Sequence, residues 1–514
     1  MARGRHDDSR STPGTGPDDV RDLQRLIVRG VTWKGLSQLA IQLTRMAVAV
    51  AVARILAPEE YGVAGMALVF SGFVLIFADL ALGQALVQRR TLTHEDKATA
   101  FWTSVAAGVV FTAAGIAAAG PIAGFFGEPR LEAMIAALSL TFLVAAVGTT
   151  QSALLVREME FKTLELRELI ATGVSAAVAV SGALAGLGAW AIVAAQLAAT
   201  ATTTTLVWIS SPWRPSRAFS TATLRRFAPF TANVLGTQLL VQLRTATPNV
   251  VIGRALGASA LGTYVLAYNV VLVPFNRIAV PVAQVLFPAM SRVQEDRVRL
   301  AAYWRRSVRM LAAVVMPALV GLIVVAPEFV AATLGPDWSG ATQVIRLLAL
   351  VGLLQTMQVL NPMVLQALDR TGLLLRWSLL SFAAAIIGLG VGLEWGIVGV
   401  AAGFAIAAAL TEPAFAWATA RLLQVRAVTL LGDLAGVAQA TAAMTAAVVL
   451  CRVALDDVGL PPVARLLMLV AVGAAVYLPC LTWRAPEVLR DVRSARRRPD
   501  AGQPATTERV APSA

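Results

Sequence analysis

About fourteen apolar runs of roughly 20 residues divide this 514-residue chain, and no other feature limits its fold so tightly. A helix of that length crosses about 30 Å of hydrocarbon and satisfies its own backbone donors and acceptors, where lipid offers no partner. The runs lie near 31–53, 62–86, 100–124, 131–155, 168–187, 189–210, 230–254, 261–288, 308–329, 341–366, 376–394, 396–419, 434–455 and 463–483. Only 14% of residues are charged and the mean hydropathy is +0.70, whereas a soluble domain carries about 25% charged residues. One aqueous core could not hide so much apolar surface. The expected class is an all-α polytopic membrane protein.

The charges between the runs set an orientation. Even-numbered connections are basic: Arg89, Arg90 and Lys97; Arg157, Lys162 and Arg167; Arg214, Arg217, Arg225 and Arg226; Arg292 to Arg309; Arg370 and Arg376; Arg421 and Arg426. Odd connections are poor in cations, and APEEYG and APEFVAATLGPDWSGA have none. Lysine and arginine collect on the cytoplasmic side, so both termini are expected there. The net charge of +13 is thus a topology signal, and no nucleic-acid partner is expected. Residues 1–24 and 485–514 read as disordered cytosolic tails. Cys451, Cys480, His6 and His94 form no metal spacing, and no cofactor is expected.

A repeat then orders the spans. SQLAIQLTRMAVAVAVARILAPEEYG, from Ser37, returns as TQLLVQLRTATPNVVIGRALGASALG, from Thr237, with Gln38, Leu39, Gln42, Leu43, Val50, Arg54, Leu56 and Gly62 repeated in register. The copies open the first and seventh spans, so both enter the membrane in the same direction. That is a parallel repeat, of the kind that places a substrate site between two rocking halves. The expected organisation is an N-lobe at 25–210, a cytoplasmic linker at 211–229, a C-lobe at 230–425 and two further spans at 426–484. Each lobe has six helices.

The polar residues within these spans are the candidate site. On a helix advancing about 100° per residue, Lys34, Gln38, Gln42 and Arg45 fall within an arc of about 80°. Gln238, Gln242, Thr245 and Asn249 share a similar arc, and Asn269, Asn276, Arg277 and Gln284 cover about 100°. A cation at mid-bilayer is expected to face a wet cavity rather than lipid, whereas amides also serve as hydrogen-bonding glue between helices. Arg45 and Arg277 are the leading anion ligands. Lys34 lies near a helix end and Arg244 off the stripe, and both are secondary. Arg54 and Arg254 read as interface anchors. Asp79, Glu394 and Glu412 are the membrane carboxylates to weigh, Asp79 and Glu412 for proton or sodium coupling. A stripe of cations and amides favours an anion such as a diphosphate, which suits the planar guanidinium fork. Pro274, Pro281 and Pro288 invite bends in the eighth span.

The segments RILAPEEYGVAGMALVF, FADLALGQALVQR, LGTYVLAYNVVLVPFNRIAVPVAQVLFPAMSRVQED, FVAATLGPDWSGA and PMVLQALDRTG, in this order, resemble the Wzx-type polysaccharide-transport flippases of the multidrug/oligosaccharidyl-lipid/polysaccharide (MOP) exporter superfamily. The likeness covers most of residues 25–425. It implies a fourteen-helix, two-lobed fold in a bacterial inner membrane. It also implies transfer of undecaprenyl-diphosphate-linked oligosaccharide to the outer leaflet, with a polymerase and chain-length proteins as further partners. On that reading the diphosphate meets Arg45, Arg277, Lys34 and Arg244, and the sugars meet Gln38, Gln42, Gln242, Asn269, Asn276 and Gln284. Two alternatives share the fold: an ion-coupled multidrug exporter, which needs a cavity carboxylate, and a lipid II flippase. A membrane glycosyltransferase is disfavoured, because the longest outer loop offers only Glu328 and Asp337. No phosphate-binding glycine loop or nucleophile motif is present.

Overall fold

The computed structural model describes residues 37–38, 40–79, 82–89, 91–292, 295–356 and 358–496, without the side chains of 74–79, 161, 230, 232, 233, 237, 274–289, 291, 292, 356, 427 and 492–496. Among the described residues the regular structure is helical throughout. Nine helices there are long and apolar enough to cross a membrane. One of them, Thr371–Leu422, turns back at a 3₁₀ segment, Leu393–Trp395, near Gly396 (φ 67°), where the sequence marks a hairpin. The chain is a multi-pass helical membrane protein. The expected total of fourteen spans rests partly on residues outside the described set.

The described residues form two compact units, Met1–Gly262 and Thr263–Ala514. The first holds α1 (40–55), α2 (Pro58–Asp79), α3 (Leu82–Gln88), α4 (His94–Phe126), α5 (Leu131–Arg157), α6 (Phe161–Leu184), α7 (Ala189–Ser210) and the start of α8 (Thr221–Arg292). Thr93 starts α4 with a reciprocal capping box: its hydroxyl accepts from Asp96 N–H, and the Asp96 carboxylate accepts from Thr93 N–H, both at 3.0 Å. Gly127, at φ 71°, ends the helix in the left-handed region. Small residues then let α4 and α5 lie close and antiparallel. Gly108 faces Ala146 and Leu143, Gly115 faces Ser139, and Thr112 donates to the Ser139 carbonyl at 3.0 Å. That is the usual solution in lipid, where close backbone packing replaces the hydrophobic drive. The α6–α7 hairpin turns at Gly186 and Gly188 (φ 78° and 56°). Thr204 Oγ1 and Trp208 Nε1 tie α7 to the Val144 and Val147 carbonyls of α5, each at 3.0 Å.

The repeat is visible in the backbone. α1 gives way to α2 at Leu56–Ala57, and α8 breaks at Gly257 (φ 83°, ψ −175°), two hundred positions on. A hydrophobic leucine precedes each corner, Leu56 and Leu256. The residues just past the corners meet reciprocally. A Cβ on Gly62 would strike the Ala258 carbonyl, and a Cβ on Gly262 would strike the Pro58 carbonyl. The contacts 62–258 and 262–58 exchange under the repeat, so one local twofold relates them. Only glycine permits so close a backbone approach at both places.

The second unit holds the rest of α8, then α9 (Arg297–Thr333), α10 (Ala341–Thr356), α11 (Asn361–Ala367), α12 (Thr371–Gly392), α13 (Gly396–Leu422), α14 (Ala427–Ala454), α15 (Pro462–Arg484) and α16 (Pro486–Arg496). Four features differ from the sequence expectation. The segment holding Glu328, expected as an outer loop, is the last part of α9, which runs on through Pro327. Glu328 is buried there and bridges Arg452 (2.8 Å) and Arg465 (3.5 Å). The basic group Arg305, Arg306 and Arg309, expected in a loop, lies on α9, with Arg305 on Asp433 (2.7 Å) and Arg309 on Asp491 (2.6 Å). The tail expected to be disordered carries α16, which buries Val488 and supplies Asp491 and Glu487 to those arginines. Ion pairing and apolar burial thus give this basic segment a surface to fold on. The run expected as one span at 341–366 is interrupted between α10 and α11. A buried polar chain covers the gap: Trp304 Nε1 donates to Asn361 Oδ1 (3.0 Å), Asn361 Nδ2 donates to Gln358 Oε1 (3.2 Å), and Gln358 donates to the Glu412 carbonyl.

Candidate functional site

α1 carries the polar stripe into the first unit, and its partners are acids. Arg45 pairs with Glu168 at 2.6 Å, and Gln38 Nε2 donates to Glu165 Oε2 at 2.8 Å. Both carboxylates lie on α6, three residues apart and hence on one face. The membrane stripe is therefore not only cations and amides, as the sequence reading held. Glu165 and Glu168 were missed because LELRELI sits where a basic connection gives way to a span. The signal was present in the spacing: E-x-x-E on a helix facing a stripe of amide and arginine. The Arg45 and Glu168 side chains remain 44% and 42% exposed, so an incoming anion can reach the guanidinium. An exposed pair of this kind is worth about 0–1 kcal/mol and is readily exchanged.

The pair borders a cavity of about 780 Å³, lined by α3, α5, α6 and α7 with Arg45 of α1. Arg167, grouped with the loop cations from sequence, is 4% exposed on α6, and among the described residues its three guanidinium nitrogens have no hydrogen-bond partner. Burying an unpaired charge costs several kcal/mol by order of magnitude.

The other candidates scatter. Gln42 is half-buried on α1. Gln242 on α8 lays its amide against Gly72 of α2, where a Cβ would collide with it. Arg244 is exposed on α8, away from Gln242. Asn269 is half-buried on the α8 segment of the second unit. Glu412 is half-buried on α13, one residue before Pro413. The backbones of Asn276, Arg277 and Gln284 are helical and Asp79 ends α2, but their side chains lie outside the described residues, as does all of Lys34. Arg254 stacks over the Phe125 ring at 5.8 Å, as an anchor would.

At the corner of α1 and α2 lies a second charged group. Arg130 bridges Glu59 (2.9 Å), Glu60 (2.7 Å) and Glu128 (2.8 Å). Glu60 also accepts from Ala189 N–H, at the start of α7, at 2.7 Å. The Arg130 guanidinium holds the Glu128 carboxyl below its ordinary range, and Glu128 in turn raises Arg130. These charges tie the α1–α2 corner to two helix starts.

The model of the family described as "Polysaccharide biosynthesis protein" matches residues 51–343, more than half of the chain. The chain belongs to that family. It is 28% identical to the lipopolysaccharide biosynthesis protein WzxC of Escherichia coli (strain K12), over 74% of this chain and 78% of that protein. It is 26% identical to the succinoglycan biosynthesis transport protein ExoT of Rhizobium meliloti (strain 1021), over 70% and 73%. In fold it is similar to the lipid II flippase MurJ in an inward closed conformation: TM-score 0.70, 14% identity, 90% of this chain and 100% of that one. Solved transporters of the MOP superfamily share the fold.

Proposed function

We propose that this protein is a flippase that carries an undecaprenyl-diphosphate-linked oligosaccharide from the cytosolic to the outer leaflet of a bacterial inner membrane, both termini being cytosolic. The observation that carries the reading is a reachable membrane guanidinium, Arg45, in a polysaccharide-biosynthesis chain with a flippase fold. Membership of the family supplies the glycan, and the fold supplies a path across the membrane. The protein is a transporter and breaks no covalent bond.

In this mechanism the diphosphate displaces Glu168 from Arg45, and Arg277, Lys34 and Arg244 add positive charge. Guanidinium suits the diphosphate because it offers paired donors to two oxygens. The sugar hydroxyls meet Gln38, Gln42, Gln242, Asn269, Asn276 and Gln284, while the polyprenyl chain stays in lipid. Alternating access then releases the head group outside. Glu412 and Asp79 are the carboxylates for proton or sodium coupling, and Glu168, once freed, becomes a third. A polymerase and chain-length proteins would receive the product.

Deleting the gene and identifying the lipid-linked saccharide left on the cytosolic leaflet tests this directly. An accumulated undecaprenyl-diphosphate oligosaccharide is the expected result. Accumulated lipid II would move the reading to a cell-wall flippase, and a raised drug sensitivity with no lipid accumulation would move it to a multidrug exporter. Complementation with Arg45→Ala plus Arg277→Ala should leave export at about a tenth or less, on the order of 1.4 kcal/mol per tenfold step. Full export from the inserted double variant would remove these two residues from the site.

A further inference from the structure

We propose that the cavity within the first unit is a saccharide subsite, reading the sugar next to the diphosphate through side chains on α3, α5 and α7. The inference rests on the flippase reading above. Among glycine, alanine and valine, the wall carries three amides, Gln84, Gln88 and Gln196, and five hydroxyls, those of Thr149, Ser152, Thr200, Thr203 and Thr204. Among the described residues its only charged members are Arg45 and Glu168, which neutralise one another at 2.6 Å. Its volume of about 780 Å³ lies within the roughly 300–1,000 Å³ usual for small-ligand sites.

The chemistry of this wall selects among ligand classes. An amphiphilic drug is usually held by aromatic rings, yet among the described residues none lines the cavity, whose apolar members are only glycine, alanine and valine. A cation would need a carboxylate free of a partner, and Glu168 is engaged. A second phosphate would need more cations than Arg45. A sugar ring presents hydroxyls that both donate and accept, and amides and hydroxyls do the same. Thr149 and Thr200 already donate to the carbonyls of Ala145 (3.1 Å) and Gln196 (3.0 Å), so toward a ligand they accept. Among the described residues, no hydrogen bond engages the amides of Gln84, Gln88 and Gln196, which retain both donors and acceptors. So many polar groups on apolar helices are costly unless water or a ligand satisfies them. Arg45 at the edge fixes the order of parts: diphosphate at the guanidinium, first sugar in the cavity.

The test measures what the sugar adds to binding. Full-length protein in nanodiscs is titrated with undecaprenyl diphosphate and with its glycosylated form, extracted from the deletion strain. The wild type should hold the glycosylated lipid about tenfold more tightly, as two or three good hydrogen bonds allow. Gln196→Leu with Thr200→Val, and separately Gln88→Leu, should bring that ratio below about threefold, with affinity for the bare lipid unchanged. A ratio that stays at the wild-type value in either folded variant overturns the subsite. Equal wild-type affinity for the two lipids also overturns it and leaves the flippase reading standing. Failure of both lipids to bind wild-type protein sinks the flippase reading and the subsite together.

Discussion

The two copies of the repeat keep one geometry and differ in charge. Both turn at the same register, Leu56–Ala57 and Leu256–Gly257, and both present a glycine to the other's backbone, Gly62 and Gly262. Yet Arg45 is matched by Thr245, and Glu59 and Glu60 by Ser259 and Ala260. Thr245 bonds its own helix at the Gln242 carbonyl (2.9 Å), while Arg45 reaches α6. A duplicated hairpin needs its corner and its close approach in both halves, because each copy packs on the other. A ligand with one charged end does not need the same counter-charge at the same position of both copies. Symmetric residues therefore report on closure of the fold, and asymmetric ones on what it carries.

The largest effect expected from this comparison is at the crossing. Gly62→Ala and Gly262→Ala each push a methyl into a facing carbonyl, and overpacking of that kind costs about 1–3 kcal/mol. Because the two contacts are related by the repeat, the two variants should fail alike. Glycan export in the complemented deletion strain should fall at least about tenfold for each, with the protein still in the membrane. If one variant is inert while the other is dead, the local twofold is not what the mechanism uses.

Much of this was legible in the residues themselves. The helical class, the hairpin turns at Gly186–Trp190 and Leu393–Gly396, and the repeat all follow from apolar runs, glycine and register, which depend only on neighbours in sequence. What could not be read is pairing across helices. Glu165 and Glu168 look like the end of a charged connection until α6 is seen beside α1. Arg167 belongs to the same connection in sequence and to the buried interior in space. The segment Pro486–Arg496 looks too polar to order until Asp491 meets Arg306 and Arg309 on α9. For the two acids and for Pro486–Arg496 the deciding partner lies more than a hundred residues away, where periodicity has no reach.

A middle-sized effect separates the copies themselves. Arg45→Ala alone should lower export about three- to tenfold, whereas Thr245→Ala should leave it within about twofold. Glu168→Gln sharpens the contrast, since it removes the carboxylate that competes with the diphosphate for Arg45. Binding of undecaprenyl diphosphate to the purified variant should tighten by about two- to fivefold, the worth of an exposed ion pair. Weaker binding would mean that Glu168 positions the guanidinium rather than competing for it.

The smallest effect belongs to the acidic corner that only the first copy has. Glu128 is held below its ordinary range chiefly by its hydrogen bond to Arg130, so its bound, ionised form favours the folded state. That contribution is complete above the carboxyl's unfolded pKa and disappears as the pH falls through its lower folded value. The raised Arg130 adds a contribution that is present throughout this window, since it is lost only in strong alkali. The Arg130 side chain is 43% exposed, which limits the pair to about 1 kcal/mol or less. Thermal unfolding of wild type and Glu128→Gln should therefore differ by a degree or so at neutral pH, in the order expected for this energy in a large chain, and converge in acid. The equivalent position in the other copy has no carboxylate corner to lose: Ser259→Ala should leave the acid limb unmoved, and an acid limb shifted by Ser259→Ala but not by Glu128→Gln would show that the charged corner is not what the pH acts on.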